Sequence, residues 1–153
     1  MTPEQARAAH LAYVRLYQYM SADAEPQMVS EAELRELTYG NFLAAETLLG
    51  ILAKLHGKTF DRVLDDLPQR DEGYPPGSAA RYMWDHAIYR LRYMHARSWQ
   101  HRPEPARTYS LLTTFRGSFN LVVAATIEVG ATTKTPARHL ASTLRDAAAG
   151  ATR

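Results

Sequence analysis

From Ala80 to Arg102 the chain reads ARYMWDHAIYRLRYMHARSWQHR, with no glycine or proline. Wound at about 100° per residue, the stretch places Tyr82, His86, Tyr89, Tyr93, Arg97 and Gln100 on one side, with Arg81, Arg90 and Arg92 on the flanks. A solvated helix face would carry Glu and Lys there. Tyrosine rings offer stacking surface to unpaired bases, and arginine offers phosphates both charge and a flat donor fork. Arg102 and Arg107 extend the charge beyond the helix end. The candidate binding set is therefore Tyr82, His86, Tyr89, Arg90, Arg92, Tyr93, Arg97, Arg102 and Arg107. Its expected partner is nucleic acid or an acidic protein surface. Trp84, Ala87, Ile88, Leu91, Met94, His95 and Ser98 fall on the opposite side as a core stripe. Two other arrangements would use the same residues. The helix could be buried on both sides, with its tyrosine hydroxyls satisfied inside. It could also form a protein–protein contact in an adaptor or a self-assembling subunit, since Tyr, Trp, Arg and Met are enriched at interfaces.

Other chemistries have less support. Arg81/His86 and Arg90/His95 both match Arg-x4-His, a spacing that HEPN-type ribonucleases use. There, His can move the proton of a ribose 2′-hydroxyl while Arg holds the phosphate. About two such matches are expected by chance at this composition, so the pair is kept only as an alternative. His10, His56 and His95 each fall toward the core side of a different helix, and three such rings could meet at an open metal site. Glu31, Glu33 and Glu36 suit the first turns of a helix, where the dipole favours anions. Glu46 stands apart among Ala44, Ala45 and Leu48. The sequence has no cysteine, no Gly-x-Ser-x-Gly and no Gly-rich loop opening a helix, so nucleophilic and phosphate-loop chemistry are without a motif. No catalytic residue, metal or cofactor is expected, and a non-enzymatic role is favoured.

Length and composition set the frame. A chain of 153 residues with 46% apolar content fits a single helical domain, 1–153, with a real core. The absence of cysteine suits a reducing compartment, and the N-terminus lacks a basic stub followed by an apolar run. A cytoplasmic protein that does not engage membranes is expected. The net charge of +2 conceals a split. Residues 1–80 hold 7 Lys+Arg against 12 Asp+Glu, and residues 81–153 hold 11 against 4. Such asymmetry can mark a polyanion-binding half, drive self-association into a homo-oligomer, or cancel internally.

The elements that must position these residues are all helical. Thr2-Pro3-Glu4-Gln5 reads as a capped start, Thr at N-cap and Pro at N1, for a helix to about Met20. Ser30 opens a second helix to about His56, with Gly57 at C′. A short helix fits 59–67, and Pro68 to Ser78 is the clearest loop. The basic helix follows and stops at Arg102-Pro103-Glu104-Pro105. Thr108 to Val129 forms the most apolar helix, Gly130 to Lys134 a loop, and Thr135-Pro136 opens a last helix to about Ala149. The expected fold is all-α: an up-and-down helical bundle of four long helices plus a short helix and a C-terminal helix.

Overall fold

The computed structural model describes residues 2–21, 30–67, 75–95 and 110–151. They form six α-helices, α1 (Pro3–Met20), α2 (Glu31–His56), α3 (Phe60–Asp66), α4 (Ala79–His95), α5 (Leu111–Thr133) and α6 (Ala137–Ala151), with no strand among the described residues. The fold is all-α.

Local signals in the sequence account for most helix ends. Thr2 and Gln5 exchange a reciprocal pair of bonds: Gln5 N donates to Thr2 Oγ1 at 3.1 Å, and Thr2 N donates to Gln5 Oε1 at 2.9 Å. Ser30, Thr59 and Ser110 each accept from the backbone N–H three residues on, which satisfies one otherwise orphaned donor per helix. Gly57 ends α2 in the left-handed conformation, φ 63°, as its lack of a Cβ allows.

The core is built around α2 and α5, which share the largest interface between helices. Asn41 donates to Ser118 at 3.1 Å, and His56 lies 3.5 Å from Thr132. Both pairs advance together along the two helices, so α2 and α5 run in the same direction. α1 runs the same way: Arg15 lies over the Phe115 ring and Tyr19 packs edge-on against Phe119, so α1 is parallel to α5 and, through it, to α2. The long helices therefore do not alternate in direction as the expected up-and-down bundle requires. α1 packs between α2 and α6, α4 lies on α5, and α3 folds back against α2. Leu16, Leu48, Leu49, Leu91, Leu121 and Val122 are fully buried, each stabilising the fold by about 1.5–3 kcal/mol relative to exposure.

Two of the contacts are backbone-close. A Cβ built on Gly40 would lie 2.0 Å from the Ala8 carbonyl oxygen, and one on Gly117 would lie 2.8 Å from the Met83 carbonyl oxygen. Glycine at these positions lets α1 reach α2 and α4 reach α5.

The end of α5 differs from the sequence reading. α5 continues through Gly130 to Thr133, and Lys134 makes the turn at φ 57°. Gly130 serves instead as a close-approach position, 2.8 Å from the Thr135 carbonyl oxygen if given a Cβ. Leu55, in the last turn of α2, is exposed.

Candidate functional site

The orientation of α4 decides which of its residues a partner can reach. Trp84, Ala87, Leu91 and Met94 are buried, as the stripe requires. His86, read as part of the outer face, is 7% exposed and belongs to the interior. His95, read as part of the core stripe, is exposed. The close approach at Gly117 explains both. It draws α5 toward the Met83–Ala87 side, so the buried arc swings toward His86 and releases His95.

The remaining candidates divide by environment. Tyr82 is 46% exposed. Tyr89, Arg90, Arg92 and Tyr93 are half-buried, less open than a fully wet face would leave them. The Tyr89 and Tyr93 rings pack on each other, with centroids 4.7 Å apart and planes tilted 52°. Arg97, Arg102 and Arg107 lie outside the described residues, as does the continuation of the helix beyond His95.

Several cations of α4 are already matched by this chain's own carboxylates. Arg92 bridges α4 to α3, its Nε 3.4 Å from Asp61 and its Nη2 bonded to Asp65. Arg81 Nε lies 3.2 Å from Asp85. The His95 ring stacks on Phe60 at 3.7 Å and 11°, with Nδ1 3.3 Å from Glu46 Oε2. Glu46 thus faces a partner from α4 across α2. The acidic and basic halves of the sequence meet along this seam.

Arg90 lines a groove of about 410 Å³ together with Arg35, Thr38, Tyr39 and Phe42 of α2 and Leu111 and Thr114 of α5. The sequence reading did not select the α2 residues. Their spacing was the available signal: Arg35, Tyr39 and Phe42 fall at i, i+4 and i+7, one helix face, with an aromatic and a cation where the stripe's edge should be.

The Arg-x4-His pairs do not converge in the groove. Arg90 lines it, but His95 stacks on α3; Arg81 faces Asp85 while His86 is buried. The three histidines do not meet either. His56 lies beside Thr132 and His95 beside Glu46, and no group of three or more His, Asp or Glu suited to a metal occurs among the described residues.

No known family, curated protein or solved structure matches the chain. A function must therefore be argued from the site, since a helical fold by itself hosts many. Among the described residues no helix is long and apolar enough to cross a membrane.

Proposed function

We propose that this chain is a non-enzymatic binding protein whose working surface lies where α4 meets α2 and the first turns of α5, and whose partner is an acidic protein surface. The observation that carries the reading is the mixed character of this surface. Tyr82, Tyr39 and Leu112 are exposed, Arg35 and Arg90 line the groove, and Arg81 and Arg92 sit beside Asp85, Asp61 and Asp65. Nucleic-acid affinity comes chiefly from cations that replace the counterions along the phosphates. The carboxylates interleaved with the arginines repel a continuous phosphate backbone locally, whereas a protein surface can set its own carboxylates against the arginines alone. Arginines among tyrosines and leucines suit a protein contact, where Tyr and Arg anchors dominate binding.

The test compares probes on the purified chain. A labelled Glu-rich peptide carrying one Leu is titrated beside labelled single-stranded DNA and RNA at two salt concentrations. The peptide is expected to bind more tightly than either nucleic acid. Tyr82→Ala and Arg90→Gln are each expected to weaken it by about tenfold, the usual cost of losing an anchor. Nucleic acid binding more tightly than peptide, with a steep salt dependence, would instead establish the polyanion reading.

A further inference from the structure

Many arginines of the fold meet acids of their own chain. Arg7, Arg35, Arg62, Arg81, Arg92 and Arg145 each stand beside a carboxylate. Arg15 of α1 and Arg116 of α5 have no such partner among the described residues. Arg15 is half-buried and Arg116 is exposed. Arg15 lies over the Phe115 ring, 5.4 Å from its centroid, and burial holds its guanidinium below the ordinary value. A cation drawn partly out of water, with only a ring beneath it, gains more from an incoming carboxylate than a fully wet one does.

Around these two cations the surface is apolar. The Tyr19 ring packs edge-on against Phe119 with centroids 5.3 Å apart, and Phe119 stacks on Phe115 at 6.2 Å. Tyr19 is 52% exposed and Leu11 36%. Leu11, Arg15 and Tyr19 follow one another at i, i+4 and i+8, along one face of α1. At about 100° per residue, Phe119 falls between Phe115 and Arg116 on the circumference of α5. The Tyr19–Phe119 pair is therefore bracketed by one arginine from each helix. Neither helix brings an acid to this stretch: residues 5–20 and 110–127 contain no Asp or Glu.

Charge selects the occupant. A second copy brought onto this face by a two-fold axis offers only arginines to meet arginines, and acids elsewhere on the chain are engaged, Asp61 and Asp65 by Arg92 and Glu46 by His95. A lipid surface is drawn by clusters of about four or more cations, and a phosphate backbone by a track of them; this face supplies a pair. An apolar stripe with carboxylates on both flanks answers it. We infer that the seam between α1 and α5 docks an amphipathic helix of an acidic protein, its apolar side chains on Leu11, Tyr19 and Phe119 and its carboxylates at Arg15 and Arg116. The seam shares no residue with the surface proposed on α4 and α2, and the two stand or fall separately.

The experiment titrates the full chain with a labelled helical peptide that carries leucines along one face and glutamates on both flanks, and with the same peptide in which lysines replace the glutamates. The glutamate peptide is expected to bind and the lysine peptide to remain free. Arg15→Gln is expected to weaken binding about tenfold, the cost of an anchor, and Arg116→Gln about threefold, as for an exposed pair. Lys54→Gln, which removes a charge from the last turn of α2, is the unaffected control. Arg116 is exposed, so its variant reads the contact rather than the fold. Circular dichroism checks that Arg15→Gln stays helical, and Arg15→Lys, which keeps the charge but loses the fork, is expected to recover part of the binding. A glutamate peptide that does not bind, or that binds both arginine variants as tightly as the parent chain, overturns the inference. So does a peptide released by Arg90→Gln and held by the two seam variants, since it then sits on α4. Phosphatidylserine vesicles that bind the chain but not Arg15→Gln, with neither peptide binding, would assign the face to a membrane instead.

Discussion

Tyr13 and Tyr17 lie one turn apart on α1, yet their hydroxyls respond oppositely to the fold. Tyr13 is 4% exposed, and burial pushes its phenol from 10.0 up to about 12, slightly countered by a hydrogen bond with Thr47. The unfolded chain ionises this group near its usual value, so its contribution is intact below that pH and is lost as pH rises through the folded value. The loss amounts to about 2–3 kcal/mol at the alkaline extreme. Tyr13→Phe should therefore flatten the fall in urea-denaturation midpoint between pH 9 and 12. Tyr17 is held below its ordinary value, first by the Arg138 side chain and then by Ser21. Its contribution is present at high pH and fades as pH falls through the lowered value. Arg145 also lies 4.4 Å from the Tyr17 ring centroid, so this one aromatic side chain adds two cation contacts to the apolar packing of α6.

At the scale of the helix, the sharpest predictions concern glycines that look alike in sequence. Gly40 and Gly50 both lie inside α2. A Cβ at 40 meets the Ala8 carbonyl oxygen at 2.0 Å, whereas a Cβ at 50 meets nothing within 4 Å. Gly50→Ala should raise stability by about 0.5–1 kcal/mol through backbone entropy. Gly40→Ala should lower it by about 1–3 kcal/mol, because a backbone atom cannot move aside as a side chain can. Thermal melts of the two variants should shift in opposite directions. At the end of α5, Lys134 adopts a left-handed conformation that costs a non-glycine residue about 1–2 kcal/mol. Lys134→Gly is expected to recover about 1 kcal/mol in chemical denaturation. These cases show why the element list was largely legible and its geometry was not. Thr2, Ser30 and Gly57 announce their helix ends through local chemistry. Gly130 read as a terminator because sequence does not distinguish a glycine that ends a helix from one that admits a neighbour's carbonyl.

For the molecule as a whole, the charge split was legible as composition, but its resolution was not. Arg92 meets Asp61 and Asp65, and His95 meets Glu46, so part of the basic half is answered by the acidic half of the same chain. The helix wheel placed Tyr82, Tyr89 and Tyr93 together, but it could not foresee that α5 would approach from the His86 side. It was equally blind to Arg35 joining Arg90, because residues 55 positions apart share a groove only once the chain has folded. The ion pairs are exposed or half-exposed, and each contributes about 0–1 kcal/mol. Raising sodium chloride from 50 to 500 mM is accordingly expected to move the thermal midpoint by only about 4 °C or less. A larger fall would mean that the seam between α3 and α4 carries more of the fold than its exposure implies.

The amide of Asn41 acts as a notch in an otherwise greasy track. Asn41 and Ser118 are both fully buried, and the Asn41 amide donates to the Ser118 hydroxyl while its Oδ1 has no hydrogen-bond partner among the described residues. Leucines and valines alone would let one long rod slip a turn past the other at little cost. With this polar pair in place, a slip would strand the Asn41 amide N–H in the dry interior, while Ser118 would keep its own bond to the Phe115 carbonyl. The molecule thus gives up some stability for a single seating of its two central rods, and everything mounted on them inherits that alignment.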